Sequence, residues 1–213
     1  MIASDPATFG DRPRAPLSTP AKSKGRPAPQ AWESERVVFQ PTVQSLFSRL
    51  PPQAVSPGLK AALKQVGLDL DQPLQVAYPM AMWVQILQVT SHWVFPGENA
   101  DVAHRKLGQR LIEGYVETAI GSAVFAFLKL IGPRRTLDRT AKAFRNGNNF
   151  CESKLRELAP NRFEVWINEV GTHPTFLAGV LQAGLTTAGA RGVAVEVLQV
   201  DAEGMTYLVS WTV

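Results

Sequence analysis

The sequence predicts an α+β fold: a helical N-terminal half packed on a C-terminal four-stranded antiparallel sheet of ββαββ connectivity. Two patterns carry this expectation. Apolar residues recur at helical spacing from about residue 41 to 131, whereas four short runs after Asn146 alternate apolar and polar, with one helical stretch at 174–188 between the pairs. A composition of 45% hydrophobic and 19% charged residues over 213 positions adds that the chain is globular and long enough to bury a sizeable core.

The elements follow in order. Val38, Val43, Leu46, Phe47 and Leu50 place a helix around 41–49, stopped by Pro51-Pro52. Ser56-Pro57 opens a short helix to about Gly67, with serine as cap and proline in the first position. Asp69, Asp71 and Pro73 form a loop, and residues 80–95 resume helical periodicity until Pro96-Gly97. The longest predicted helix starts at Asn99 or Asp101 and reaches about Ile131. Its first half is amphipathic. Its second half, Thr118 to Leu128, carries no charge, which predicts burial on all sides against the sheet. Gly108, Gly114 and Gly121 inside it each weaken a helix by about 1 kcal/mol, which implies close approach of another backbone. After Gly132-Pro133 a basic helix is expected over Arg134 to Arg145.

Asn146-Gly147-Asn148-Asn149 is a turn signal. Strands are expected at Phe150–Leu158 and Arg162–Val170, with a hairpin loop at Ala159-Pro160-Asn161. Thr172 and Pro174 open the 174–188 helix. A second hairpin, 193–200 and 205–213, turns at Asp201-Ala202-Glu203-Gly204.

The formal charge of +4 is concentrated at one end. Residues 1–30 hold five basic and two acidic side chains and six of the 16 prolines, so residues 1–35 are expected to be a disordered, basic, Pro-rich tail before a single domain at 36–213. The nearly neutral body argues against sequence-specific nucleic-acid binding. No signal-peptide core and no 18-residue apolar run occurs, so no membrane span is expected and the chain is placed in the cytoplasm.

Chemistry is sparsely signalled. A single cysteine excludes an internal disulfide, and no cofactor or metal site is expected: His92, His104 and His173 have no zinc-motif spacing. Cys151 with His173 and Glu169 would form a nucleophile–base–orienter set, against the default of a buried strand thiol. Arg134, Arg135, Arg139 and Arg145, with His173 at a strand-to-helix junction, are candidates for an anion or an acidic partner; the alternative is a solvated face. Trp83, Trp93, Phe125, Phe127 and Phe176 are candidates to line a pocket for a small apolar ligand, or else are core.

Gly-Pro-Arg-Arg-Thr at 132–136, Phe-Arg-Asn-Gly-Asn-Asn at 144–149, Trp-Ile-Asn-Glu-Val-Gly at 166–171 with His173-Pro174, and the closing Val-Glu-Val…Tyr-Leu-Val-Ser-Trp hairpin resemble a paralogous family of unknown function expanded in myxobacteria (domain of unknown function 2378). The resemblance covers about 36–213 and implies kinship without an activity. The strand pair, Gly179 to Gly184-Leu185 and the terminal hairpin are similar to four-vinyl-reductase-like domains, which are related to the haem-NO-associated and Bet-three-like trafficking folds. That resemblance implies a small-molecule sensor, a lipid-pocket carrier or an assembly subunit. Met205 and Tyr207 stand where many such domains carry cysteines, which weakens a metal-linked role.

The resulting expectation is a non-enzymatic cytoplasmic regulatory or sensory domain that binds a small apolar or amphipathic ligand or relays to a protein partner. The alternative is a homodimeric interaction or assembly module, built on glycine-containing helices and a C-terminal edge strand. A cysteine-dependent enzyme ranks behind both.

Overall fold

A computed structural model describes residues 35–212; the expected tail falls almost wholly outside them. Strand β1 (Val37–Phe39) pairs antiparallel with β2 (Ala77–Pro79) in a small ribbon that the sequence did not announce, because three residues are too few to establish alternation. Helix α1 (Gln40–Ser48), a 3₁₀ turn at Pro52–Ala54 and helix α2 (Pro57–Gln65) lie between them. Ser56 caps α2 as expected, its hydroxyl accepting from the Leu59 N–H at 3.2 Å. Helix α3 (Met80–Val94) follows β2 directly.

The expected long helix is two helices. α4 (Ala100–Glu117) and α5 (Ala119–Asp138) meet at Thr118 with a bend of 100°. Thr118 has extended dihedrals, and its hydroxyl serves both helices: it donates to the Tyr115 carbonyl at 2.8 Å and accepts from the Gly121 N–H at 2.9 Å. α5 is itself kinked where Gly132 takes φ of +79°, a left-handed conformation suited to glycine, just before Pro133. The expected basic helix is also divided, since α5 ends at Asp138 and α6 (Thr140–Phe144) is a separate short turn.

The C-terminal half matches its alternation. β3 (Ser153–Ala159), β4 (Arg162–Ile167), α7 (Pro174–Thr187), β5 (Arg191–Val200) and β6 (Met205–Thr212) give the ββαββ order, and the antiparallel sheet runs β3-β4-β6-β5. Phe163, Val165 and Ile167 stand opposite Val209, Tyr207 and Met205, and these six side chains are buried on one face. The first two strands are shorter than expected, because Phe150–Glu152 and Asn168–Val170 leave the ladder.

That sheet face is covered by α7, with α4 behind it. The α4–α7 crossing is close because glycines face it. A Cβ on Gly108 would collide with the Phe176 carbonyl oxygen, and one on Gly179 with the Arg105 carbonyl oxygen. A polar clasp locks the same layer to β5: Arg105 donates to the Val195 carbonyl at 3.0 Å, and Gln182 donates to the Val193 carbonyl at 3.2 Å. Tyr207 Oη donates to the Pro174 carbonyl at 3.1 Å, which fixes the start of α7.

The uncharged stretch behaves differently from expectation. α5 packs mainly on α4, α7 and α6, reaching the sheet through the Arg134–Glu157 ion pair, and only Gly121, Phe125 and Leu128 of residues 119–131 are buried. Ile120 is 58% exposed and Leu130 84%. Ile120, Phe127 and Leu130 stay exposed on its outer face, so the absence of charge overstates its burial. No single helix among the described residues is long and apolar enough to cross a membrane; α4 and α5 reach that length only as the bent pair.

Candidate functional site

The space between α4, α5, α6 and α7 is a cavity of about 130 Å³, with Trp83 of α3 also in its wall. Each helix contributes the residues its own periodicity aims there. Leu111, Ile112 and Tyr115 come from α4, Phe125 and Leu128 from α5, and Leu177, Leu181 and Leu185 from α7 at four-residue intervals. The aromatic rings meet edge to face: Trp83 on Phe176 at 6.2 Å between centroids, and Tyr115 on Phe125 at 6.4 Å.

Thr42, Thr136, Thr140 and Asn148 add polar atoms to this lining, and two further polar groups, Tyr115 Oη and the Glu169 carboxyl, are buried in it. Tyr115 Oη is the buried side-chain atom without a hydrogen-bond partner among the described residues. Asn146 comes near enough to ease its ionisation but lacks hydrogen-bond geometry, and burial, the larger effect, raises the phenol above its ordinary pKa. Glu169, in the segment between β4 and α7, is buried and accepts a hydrogen bond from Thr172 Oγ1 at 2.7 Å. Desolvation pushes its pKa up to about 7, against smaller opposing contributions from Thr172 and Arg36.

Of the five residues expected to line a pocket, Trp83, Phe125 and Phe176 do. Trp93 does not: it is 43% exposed at the end of α3 and packs over Gly58. Phe127 is 45% exposed on the outside of α5, beneath the Arg139 guanidinium at 5.4 Å. The sequence offered both for their size, and their helical phase turns them outward.

The expected anion site does not assemble, because its members have separate occupations. Arg134 pairs with Glu157 of β3 at 2.6 Å, Arg139 lies on Phe127, and Arg145 Nε donates to the Cys151 carbonyl at 3.1 Å. Arg135 is exposed. His173 is elsewhere, stacked on His104 with 4.3 Å between ring centroids, 2.9 Å from Thr175 Oγ1 and 3.7 Å from Asp101.

The Cys151–His173–Glu169 set is likewise divided. Cys151 is buried near Glu169, and desolvation followed by that acid raises its pKa to about 12, the opposite of an activated thiolate. The His173 imidazole is engaged with His104, Thr175 and Asp101. Sequence reasoning missed Tyr115 and most of the α7 stripe as pocket residues. It named Glu169 for a different role.

The family described as protein of unknown function (DUF2378) matches residues 36–212. The chain belongs to the DUF2378 family. No curated protein matches it. Solved structures similar to this DUF2378 domain include an H-NOX protein from work on haem distortion in that family (12% identity, TM-score 0.58, 80% of this chain and 93% of that one). An Fe(II) unliganded H-NOX mutant from K. algicida is also similar (10% identity, TM-score 0.57, 81% and 93%). So is an oxygen-binding H-NOX domain related to soluble guanylate cyclases (12% identity, TM-score 0.55, 80% and 91%). At these identities the likeness establishes the fold.

Haem, the group named for such neighbours, does not fit the cavity described here. Among the described residues, no histidine, cysteine or methionine lines it. His104 Nδ1 donates to the Ala100 carbonyl at 2.9 Å and Nε2 lies 3.3 Å from Ser91 Oγ, while His92 is exposed. Burial and the neighbouring His173 both lower the His104 pKa. Tyr115 is the remaining lining group of a kind that ligates haem iron, and its raised pKa opposes the phenolate. The volume of about 130 Å³ is below the roughly 300 Å³ at which pockets for drug-sized ligands begin.

Proposed function

We propose that this DUF2378 domain is a sensory or regulatory module that binds a small, largely apolar molecule in the cavity and signals occupancy through α5. The cavity carries the reading. It is lined by leucines and aromatic rings, and its size approaches the apolar cavity of about 150 Å³ that admits benzene in a well-studied lysozyme variant. A fold shared with H-NOX domains, one of them described as oxygen binding, agrees with a ligand-receiving role. The absence of a competent nucleophile at Cys151 favours binding over catalysis by that residue.

Native mass spectrometry of the purified chain, before and after denaturation, tests for a co-purified small molecule. Thermal melting with toluene tests the cavity directly. Toluene is expected to raise the melting temperature of the wild type and not of Leu181→Phe, in which the larger side chain fills the space. Equal melting of both with and without toluene would sink the reading.

A second reading, a homodimer, draws on the outer face of α5, where Ile120, Phe127 and Leu130 are exposed together. Sedimentation equilibrium of wild type and Leu130→Glu decides it: a dimer lost in the variant supports the reading, and a monomer throughout removes it.

A further inference from the structure

Among the described residues, Glu169 is the one acidic residue that lines the cavity, and no lysine, arginine or histidine lines it. Among the described residues, no basic group comes within ion-pair distance of this carboxyl, and Thr172 makes its one hydrogen bond. The nearest cation, Arg36, is turned to other work: Nη2 donates to the Asn168 carbonyl at 2.7 Å, and the guanidinium lies over the Phe150 ring at 4.8 Å. A buried acid in this position is satisfied when neutral, since its O–H can donate to the Thr172 hydroxyl, and incomplete as a carboxylate, a buried charge with one hydrogen bond and no ion-pair partner among the described residues.

The rest of the wall suits a positive head group. Six aromatic side chains, Trp83, Tyr115, Phe125, Phe144, Phe150 and Phe176, contribute rings, which attract cations through their faces. Tyr115 Oη, buried without a partner, is a second oxygen able to accept. An ammonium offers three N–H donors to such a site. A carboxylate or phosphate would meet Glu169 and the ring faces with no compensating cation.

Resting on the ligand-binding reading above, we propose that the cavity takes a small organic amine: one ring or a short branched chain, carrying an ammonium that pairs with the Glu169 carboxylate. The size limit follows from the volume of about 130 Å³.

The titration of Glu169 agrees in sign. Its pKa near 7 means that an ammonium must first find, or create, the carboxylate. The groups around it are Arg36 before β1, Thr172 ahead of α7, Cys151 before β3 and Tyr207 of β6. Burial and Glu169 itself hold Cys151 and Tyr207 protonated, so neither supplies a competing charge near neutrality. Amine affinity is therefore expected to fall as pH drops below about 7, by up to about tenfold per unit, and to level off above it.

Calorimetric titration at pH 8 with benzylamine and with toluene, its near-isostere without the charge, tests the proposal on the full chain. Benzylamine is expected to bind the wild type at least about tenfold tighter than Glu169→Gln does, while toluene binds both within about twofold. Toluene binding without a benzylamine preference leaves the cavity reading standing and overturns the amine. Binding of neither removes both. Should Glu169→Gln fail to fold, the wild-type pH series from 5 to 8 decides: a flat benzylamine affinity overturns the proposal.

Discussion

The α4–α7 layer and the α5–α6 arm enclose the same cavity from opposite sides and are built on different principles. The layer is held by backbone approach at Gly108 and Gly179, by the Arg105 and Gln182 clasp to β5, and by a sheet face of buried alternating residues. The arm is attached at Thr118 and bent again at Gly132, and it contributes Phe125 and Leu128 inward while leaving Ile120 and Leu130 in water. One side of the pocket is thus a fixed floor and the other an apolar wall on two bends. Local stability follows buried contact and internal hydrogen bonding, so the arm is where opening is least opposed.

The comparison can be broken at the floor first. Gly108→Val puts a Cβ 2.1 Å from the Phe176 carbonyl oxygen and 2.9 Å from the Val180 nitrogen, with two methyls beyond it, and is expected to cost more than about 3 kcal/mol or to prevent folding, read by chemical denaturation. Glu169→Gln tests the polar interruption between floor and arm. Because the folded pKa of this acid is raised, from 4.5 to about 7, the native state holds the proton more tightly than the unfolded chain does. Its stabilising contribution is present below about pH 4.5 and is lost as pH rises to about 7. The glutamine variant should match wild type near pH 4.5 and exceed it at pH 8 by up to about 3 kcal/mol. A pH-independent difference would contradict this. Gly132→Ala, at a left-handed φ with open space around it, is expected to cost about 1–2 kcal/mol and to leave the sheet amides protected from hydrogen exchange. Leu130→Lys, on the outer surface of the arm, should change stability by less than about 0.5 kcal/mol; a larger loss would mean that the arm is covered in solution.

The two regions also differ in how far they were legible in the sequence. The sheet was readable because Phe163, Val165 and Ile167 and their partners in β6 alternate without interruption, and side-chain direction in a strand follows from that alternation. The arm was not. A threonine within a helical pattern is ordinary, so the cap at Thr118 passed as helix interior, and a run without charge passed as burial. Gly108 and Gly114 were expected to meet another backbone and do, against Phe176 and Ser45; Gly121 instead meets the end of its own preceding helix. The pocket was half legible. Large aromatics could be singled out by size, but choosing Trp83 over Trp93, or Phe125 over Phe127, needs helical phase relative to neighbours that only tertiary structure supplies. Glu169 was visible as a residue, yet its lack of an ion-paired base among the described residues is a property of three dimensions.

The doubled role of Thr118 has a further consequence. Residues 100–131 carry helical periodicity throughout, and only this residue, at ψ of 150°, departs from helical dihedrals between α4 and the Gly132 kink. Rotation about one bond therefore separates the bent arrangement from an uninterrupted rod of 32 residues, about 48 Å long. In that rod Phe125 and Leu128 would leave the cavity together, and the chain would exchange a pocket for a projecting spike. The Thr118 hydroxyl, bonded on both sides, caps the bend, and the burial of Phe125 and Leu128 holds the compact alternative.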